Sequence, residues 1–125
     1  GREIQVAILR EKILGAIELK PKRKFYDYQA KYNPEAKTEH IIPIKMTNSQ
    51  YKSVTKIALK SHKLLKCRGV SRSDFRFYKN KFYLLETNTQ PGMTSLSLVP
   101  EIAKFYNISF KNLILEIMRD ASINK

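Results

Sequence analysis

Hydrophobic and polar positions alternate from the start of the chain. Over residues 2–9, Ile4, Val6 and Ile8 interleave with Glu3, Gln5 and Ala7, a period of two that predicts a strand. Residues 13–19 form a second β-rich run beyond the polar break at 10–12, and the two are read as an antiparallel pair. Residues 25–34 mix aromatic and polar side chains without a period and end in Asn33-Pro34, which predicts a long loop. A short strand is expected over 38–44, bounded by Pro43.

Residues 47–66 switch to the helical period. Tyr51, Val54, Ile57, Ala58, Leu64 and Leu65 make an apolar stripe, Lys52, Lys56, Lys60 and Lys63 share the other face, and Thr47 or Asn48 can cap the start. Two strands follow over 70–78 and 82–89. Two helices close the pattern over 98–106 and 109–121, the second capped by Ser109 with Leu113, Ile114, Ile117 and Met118 toward the core. Strands and helices do not alternate strictly, so the expected class is α+β with a largely antiparallel sheet and flanking helices.

Composition narrows the field. The 125 residues carry 24 Lys plus Arg against 11 Asp plus Glu, a formal charge of +13, and 42% are hydrophobic. Such a chain can bury a core, and it is too apolar for a disordered basic tail. The positive excess attracts polyanions, and a basic nucleic-acid-binding module is one reading of it, with the aromatics among lysines at 22–32. Cys67 has no partner for an internal disulfide, and with only His40 and His62 a Cys/His zinc site is short of ligands. No apolar run is long enough to span a bilayer and no secretory leader is evident, so a reducing cytoplasm is the expected compartment. The opening at Gly1, without Met, suggests the tail of a longer polypeptide.

Candidate chemistry concentrates in the second hairpin. Strand alternation puts Arg72, Asp74 and Arg76 on one face, and the following strand offers Glu86 and Asn88. A three-residue turn at Lys79-Asn80-Lys81, with Asn80 left-handed and Tyr78 opposite Phe82, sets Asp74 against Glu86 and Arg72 against Asn88. A loop one residue longer or shorter would put them on opposite faces. Two carboxylates so placed are relieved by cations or by a divalent metal, and hard oxygen donors without histidine favour magnesium over zinc. Ordinary ion pairs among Arg72, Asp74, Arg76 and Glu86 are the competing reading. Beyond the strand, Gly92 lets backbone approach a ligand closely, and its N–H with Arg72 could hold an oxyanion. Neither a Walker loop nor a Gly-x-Gly-x-x-Gly turn is present.

Three segments carry a resemblance: Phe25-Tyr26-Asp27-Tyr28-Gln29-Ala30-Lys31-Tyr32, then Cys67-Arg68-Gly69-Val70-Ser71-Arg72-Ser73-Asp74-Phe75, then Leu84-Leu85-Glu86-Thr87-Asn88-Thr89-Gln90-Pro91-Gly92-Met93-Thr94. In order and spacing they resemble the D-alanine–D-alanine ligases of the ATP-grasp superfamily, over residues 1 to about 118. The resemblance implies an ATP-grasp C-terminal domain over 1–125, with the N-terminal and central domains of the ligase absent. It implies ligation of two D-alanines through an acyl phosphate for peptidoglycan synthesis, with ATP as co-substrate. Two magnesium ions, replaceable by manganese, would be held by Asp74, Glu86 and Asn88. Arg72 and Gly92 would steady the oxyanion, and Tyr32, Ser97 and Gly92 would meet substrate. Glu3, Lys31, Leu85 and Asn88 would contact ATP. The Lys31-Tyr32 pair favours the dipeptide over a depsipeptide product. The family implies a cytoplasmic homodimer with no nucleic-acid or membrane partner, and the 125 residues alone are expected to be inactive. Another ATP-grasp carboxylate–amine ligase is the nearest alternative.

Overall fold

The computed structural model describes residues 1–21, 38–94 and 97–123. Its strands are β1 (Arg2–Leu9), β2 (Lys12–Pro21), β3 (Thr38–Ile41), β4 (Val70–Tyr78) and β5 (Lys81–Asn88), and its helices are α1 (Asn48–Leu64), α2 (Leu98–Phe105) and α3 (Phe110–Ile123). The strands form one sheet in the order β3-β2-β1-β4-β5, antiparallel at every step. The expected α+β class is what is found.

β1 is central and is covered on both faces, which is why its alternation is incomplete. On one face Ile4, Val6 and Ile8 join Ala16 and Phe75 against Val54 and Ala58 of α1. On the other, Ala7 and Leu9 join Leu14, Ile17 and Val70 against Val99, Ile102 and Ala103 of α2 and Leu113 of α3. Each fully buried aliphatic side chain contributes about 1.5–3 kcal/mol, so both layers hold the sheet. Polar side chains that fall inside need partners. Glu18, 7% exposed, has one in Arg2, whose Nη2 donates to Oε1 at 2.7 Å.

Several element limits differ from the sequence pattern. β3 stops at Ile41, because Pro43 has no N–H to continue the ladder. α1 begins with a capping box: Thr47 Oγ1 accepts from the Gln50 N–H at 3.1 Å, and Gln50 Oε1 accepts from the Thr47 N–H at 3.0 Å. It ends before Lys66, which takes a left-handed φ of 55°, so Leu64 and Leu65 lie 71% and 56% exposed and do not extend the buried stripe. His62 fills that layer instead, at 1% exposure. Met118 is also outside, five steps of about 100° beyond the buried Leu113, while Ile117 packs on the core. The expected loop at 25–34 lies outside the described residues.

Candidate active site

β4 and β5 are joined by two residues, Lys79 and Asn80, both left-handed at φ 49° and 64°. Tyr78 therefore pairs with Lys81, not with Phe82 as the three-residue turn required, and Phe77 takes Phe82. The ladder then slips: Phe75 pairs with Leu84, while Asp74 pairs with Glu86, Ser73 with Thr87 and Arg72 with Asn88. Leu85 is the extra residue of a β-bulge. The bulge returns Glu86 to the face of Asp74, with β-carbons about 4.5–5.5 Å apart by ladder geometry.

On its other side β4 pairs with β1, matching Glu3 with Arg76, Gln5 with Asp74 and Ala7 with Arg72. Glu3, Gln5, Arg72, Asp74, Arg76, Glu86 and Asn88 therefore share the face that also carries α2 and α3. Arg72 forks onto Asp74, with Nε to Oδ1 at 2.9 Å and Nη2 to Oδ2 at 3.3 Å, and both side chains are mostly buried. A charge-assisted pair of this geometry relieves the repulsion between Asp74 and Glu86. Glu86 itself is exposed and has no ion-pair partner among the described residues. Arg76 reaches Glu3 only at 3.9 Å. Asn88 Oδ1 accepts from the Gln90 N–H at 2.9 Å, which fixes the amide at the end of β5 and leaves that oxygen a second lone pair.

Gln5 is the residue that sequence reading passed over. It is 6% exposed in the central strand, beside Asp74, and its Oε1 is buried without a hydrogen-bond donor among the described residues. A buried acceptor left unpaired costs on the order of 1–3 kcal/mol.

Behind the charged face, toward α1, lies a layer of hydroxyls. Thr87 Oγ1 is bonded to Ser73 Oγ at 2.9 Å and to Ser61 Oγ at 2.8 Å, and Ser71 Oγ to His62 Nδ1 at 2.6 Å. Ser71 and Ser73 alternate with Arg72 and Asp74, and Thr87 separates Glu86 from Asn88. The layer thus fixes the backbone that presents those side chains. Burial pushes the His62 imidazole below its ordinary value, opposed by a backbone bond to Arg10 and by the Asp120 and Glu11 carboxylates, and assisted by Lys63. Cys67 is half-buried, and burial raises its thiol pKa, as suits a packing residue rather than a nucleophile.

Gly92 and Ser97 are brought together. A β-carbon on Gly92 would stand 2.9 Å from Ser97 Oγ, so a larger residue there would displace that hydroxyl. Ser97 is the N-cap of α2 yet makes no side-chain cap bond; its hydroxyl accepts from the Thr94 N–H at 3.1 Å and meets Thr94 Oγ1 at 2.9 Å. Leu85 is 58% exposed on the edge strand. Lys31 and Tyr32 lie outside the described residues. A cavity of about 1490 Å³ opens at the other end of the sheet, against Arg10, His62, Cys67 and Asp120, and none of the hairpin carboxylates lines it.

Among the described residues no three His, Cys, Asp or Glu side chains gather as a metal cluster. A divalent ion at the hairpin would therefore draw on two carboxylates and an amide oxygen. That hard donor set suits magnesium, which habitually completes its shell with water and phosphate oxygens.

Comparison with known proteins identifies the family. The family model described as "D-ala D-ala ligase C-terminus" matches residues 1–119. The D-alanine–D-alanine ligase of Pelagibacter ubique (strain HTCC1062) is 62% identical over 125 residues, covering all of this chain and 41% of that protein. The ligase of Wolbachia pipientis wMel is 46% identical over 128 residues, covering all of this chain and 40% of the relative. The chain thus spans about two fifths of the length of these relatives. The crystal structure of the Bacillus anthracis D-alanine–D-alanine ligase complexed with ATP superposes with a TM-score of 0.81 at 33% identity, over 96% of this chain and 39% of that one. With the family model matched over residues 1–119 and the similarity continuous along the chain, the chain belongs to the D-alanine–D-alanine ligase family, in its C-terminal portion.

Proposed function

We propose that this chain supplies the metal- and phosphate-facing part of an ATP-dependent, ADP-forming ligase that joins two D-alanines for peptidoglycan synthesis. The observation that carries the reading is the Asp74–Glu86 pair, set face to face across a bulged hairpin with Arg72 and Asn88 beside it. Asp74, Glu86 and Asn88 would hold two magnesium ions, with manganese able to substitute. When bound, the ions neutralise charge on the phosphoryl group passing from ATP.

The reaction divides into two steps. The carboxylate of the first D-alanine attacks the γ-phosphorus, giving an acyl phosphate and ADP. The amine of the second adds to the acyl carbon, and the tetrahedral adduct collapses with loss of inorganic phosphate and of the amine's proton, leaving the amide C–N bond. Arg72 and the Gly92 N–H are placed on this reading to steady the carbonyl oxygen as it gains charge, a contribution of electrostatic preorganisation. The Arg72 fork on Asp74 keeps the guanidinium on the carboxylate face. Ser97 would hold the carboxylate of the second D-alanine. Support comes from its place at the N-cap of α2, where its hydroxyl makes no cap bond and leaves the Leu98 and Val99 N–H groups uncapped by it. Glu3 would take the ribose hydroxyls and Leu85 would lie against the nucleotide, while Lys31 and Tyr32 would contact ATP and substrate.

No helix among the described residues is long and apolar enough to cross a membrane. An ATP-consuming ligase of this kind would work in the cytoplasm, where ATP is available.

The test is Glu86→Gln in the complete gene product. D-alanine-dependent phosphate release from Mg-ATP should fall by more than about 100-fold while the circular dichroism spectrum is retained. Wild-type turnover in that variant would sink the metal assignment. A panel of D-alanine, D-lactate and L-amino acids as second substrate decides between the dipeptide ligase and other carboxylate–amine ligases.

A further inference from the structure

We infer that Gln5 is a positioning residue of the metal face, its amide oxygen accepting a hydrogen bond from water on the cation held by Asp74 and Glu86. The inference rests on the metal reading above and goes beyond its ligand set. Gln5 is the cross-strand partner of Asp74, in the strand at the centre of the sheet, and it shares the face that Asp74 and Glu86 occupy. The residue is 6% exposed, and Oε1 finds no donor among the described residues. Neighbouring positions show what the fold alone asks for there: Ala7, two residues on along the same face, is fully buried and apolar, and so is Ile17, the partner of Gln5 on β2.

The groups around Oε1 explain why it lacks a donor. Two guanidiniums are equally near by register: Arg72 is committed to Asp74 in a forked pair, and Arg76 lies toward Glu3, its Nη2 3.9 Å from Oε1 of that residue. Water on a divalent cation is polarised and donates strongly, and groups that bind such water without touching the metal orient the shell and tune affinity. An acceptor unsatisfied among the described residues and adjacent to a carboxylate pair is therefore matched to a donor that arrives with the ion. Packing selects against such an atom, and the metal site gives it a use.

The experiment measures Mn²⁺ affinity in the complete gene product, read as the midpoint of the Mn²⁺-dependent rise in melting temperature with a non-hydrolysable ATP analogue at saturation. Gln5→Met keeps the length and volume of the side chain and removes the acceptor. It should weaken Mn²⁺ binding about 10-fold and leave the melting temperature without metal equal to or above wild type. Gln5→Glu keeps an oxygen at the same reach and should restore the affinity. Wild-type Mn²⁺ affinity in Gln5→Met would overturn the inference while leaving the metal reading intact. So would a Gln5→Met protein that fails to fold, since it would show that the amide serves the fold itself. A wild-type protein with no Mn²⁺ response dependent on Glu86 would instead remove the metal reading on which the inference stands.

Discussion

Asp74 lies directly across the β4–β5 hairpin from Glu86, although the turn that joins their strands would by itself have set Asp74 against Leu85. A two-residue turn and a one-residue bulge are each a shift that flips every later side chain to the other face. Here the two shifts cancel beyond Leu85, and both carboxylates emerge on the side of α2. The apolar half of the hairpin, between turn and bulge, keeps the other register, in which Phe77 stacks on Phe82 with ring centroids 4.4 Å apart.

The turn is strained at Lys79, which holds φ 49° with a full side chain. Replacing Lys79 with Asn and Asn80 with Gly gives the pair best suited to two left-handed residues and should raise stability by about 0.5–1 kcal/mol. Urea unfolding monitored by circular dichroism checks this. A lower midpoint in the double variant would contradict the two-residue turn.

Gly15 on β2 is required by contact. A β-carbon there would stand 2.5 Å from Tyr106 Cε2 and 2.8 Å from Ile102 Cγ2, so the ring that closes over the sheet beyond α2 could not seat. Gly15→Ala should destabilise by about 1–3 kcal/mol, and Tyr106→Ala in the same chain should recover part of that loss. Purely additive effects in the double-mutant cycle would show that the two sites do not meet.

His62 makes stability depend on pH in a stated direction. Its folded pKa is lowered from 6.5 by burial, so below pH 6.5 the unfolded chain binds a proton that the folded chain resists. Stability is therefore full above that value and declines as pH falls from 6.5 toward the folded pKa, by up to about 1.4 kcal/mol per pH unit. His62→Gln should flatten that part of the profile, with unfolding free energies at pH 7.0, 6.0 and 5.5 as the measure. An unchanged slope would mean that His62 is charged, or equally free to charge, in the folded protein.

The sequence alone determined the kind of elements and the chemistry they carry. Alternation over β1 and β4 and the helical period of α1 report local burial, and a side chain records burial wherever its strand or helix turns it. The identity of the polar residues at the hairpin, Arg72, Asp74, Glu86 and Asn88, was likewise open to reading, because hard oxygens paired with a guanidinium limit the chemistry to a few classes. Three motifs in fixed order pointed to the family.

Only the tertiary structure decided how those residues meet. The sequence reading reached the Asp74–Glu86 pair through a three-residue turn that does not exist, and the bulge at Leu85 supplied the missing residue. Bulges leave little trace in a single sequence, because their cause is the match between two strands. Gln5 read as the polar half of an alternating strand, since nothing local says that β1 is covered on both faces. The burial of His62 and the exposure of Leu64, Leu65 and Met118 have the same origin. Hydrophobic period gives the direction a side chain takes from its own backbone, whereas what lies in that direction depends on segments tens of residues away, brought there by the packing of the whole sheet between its helices.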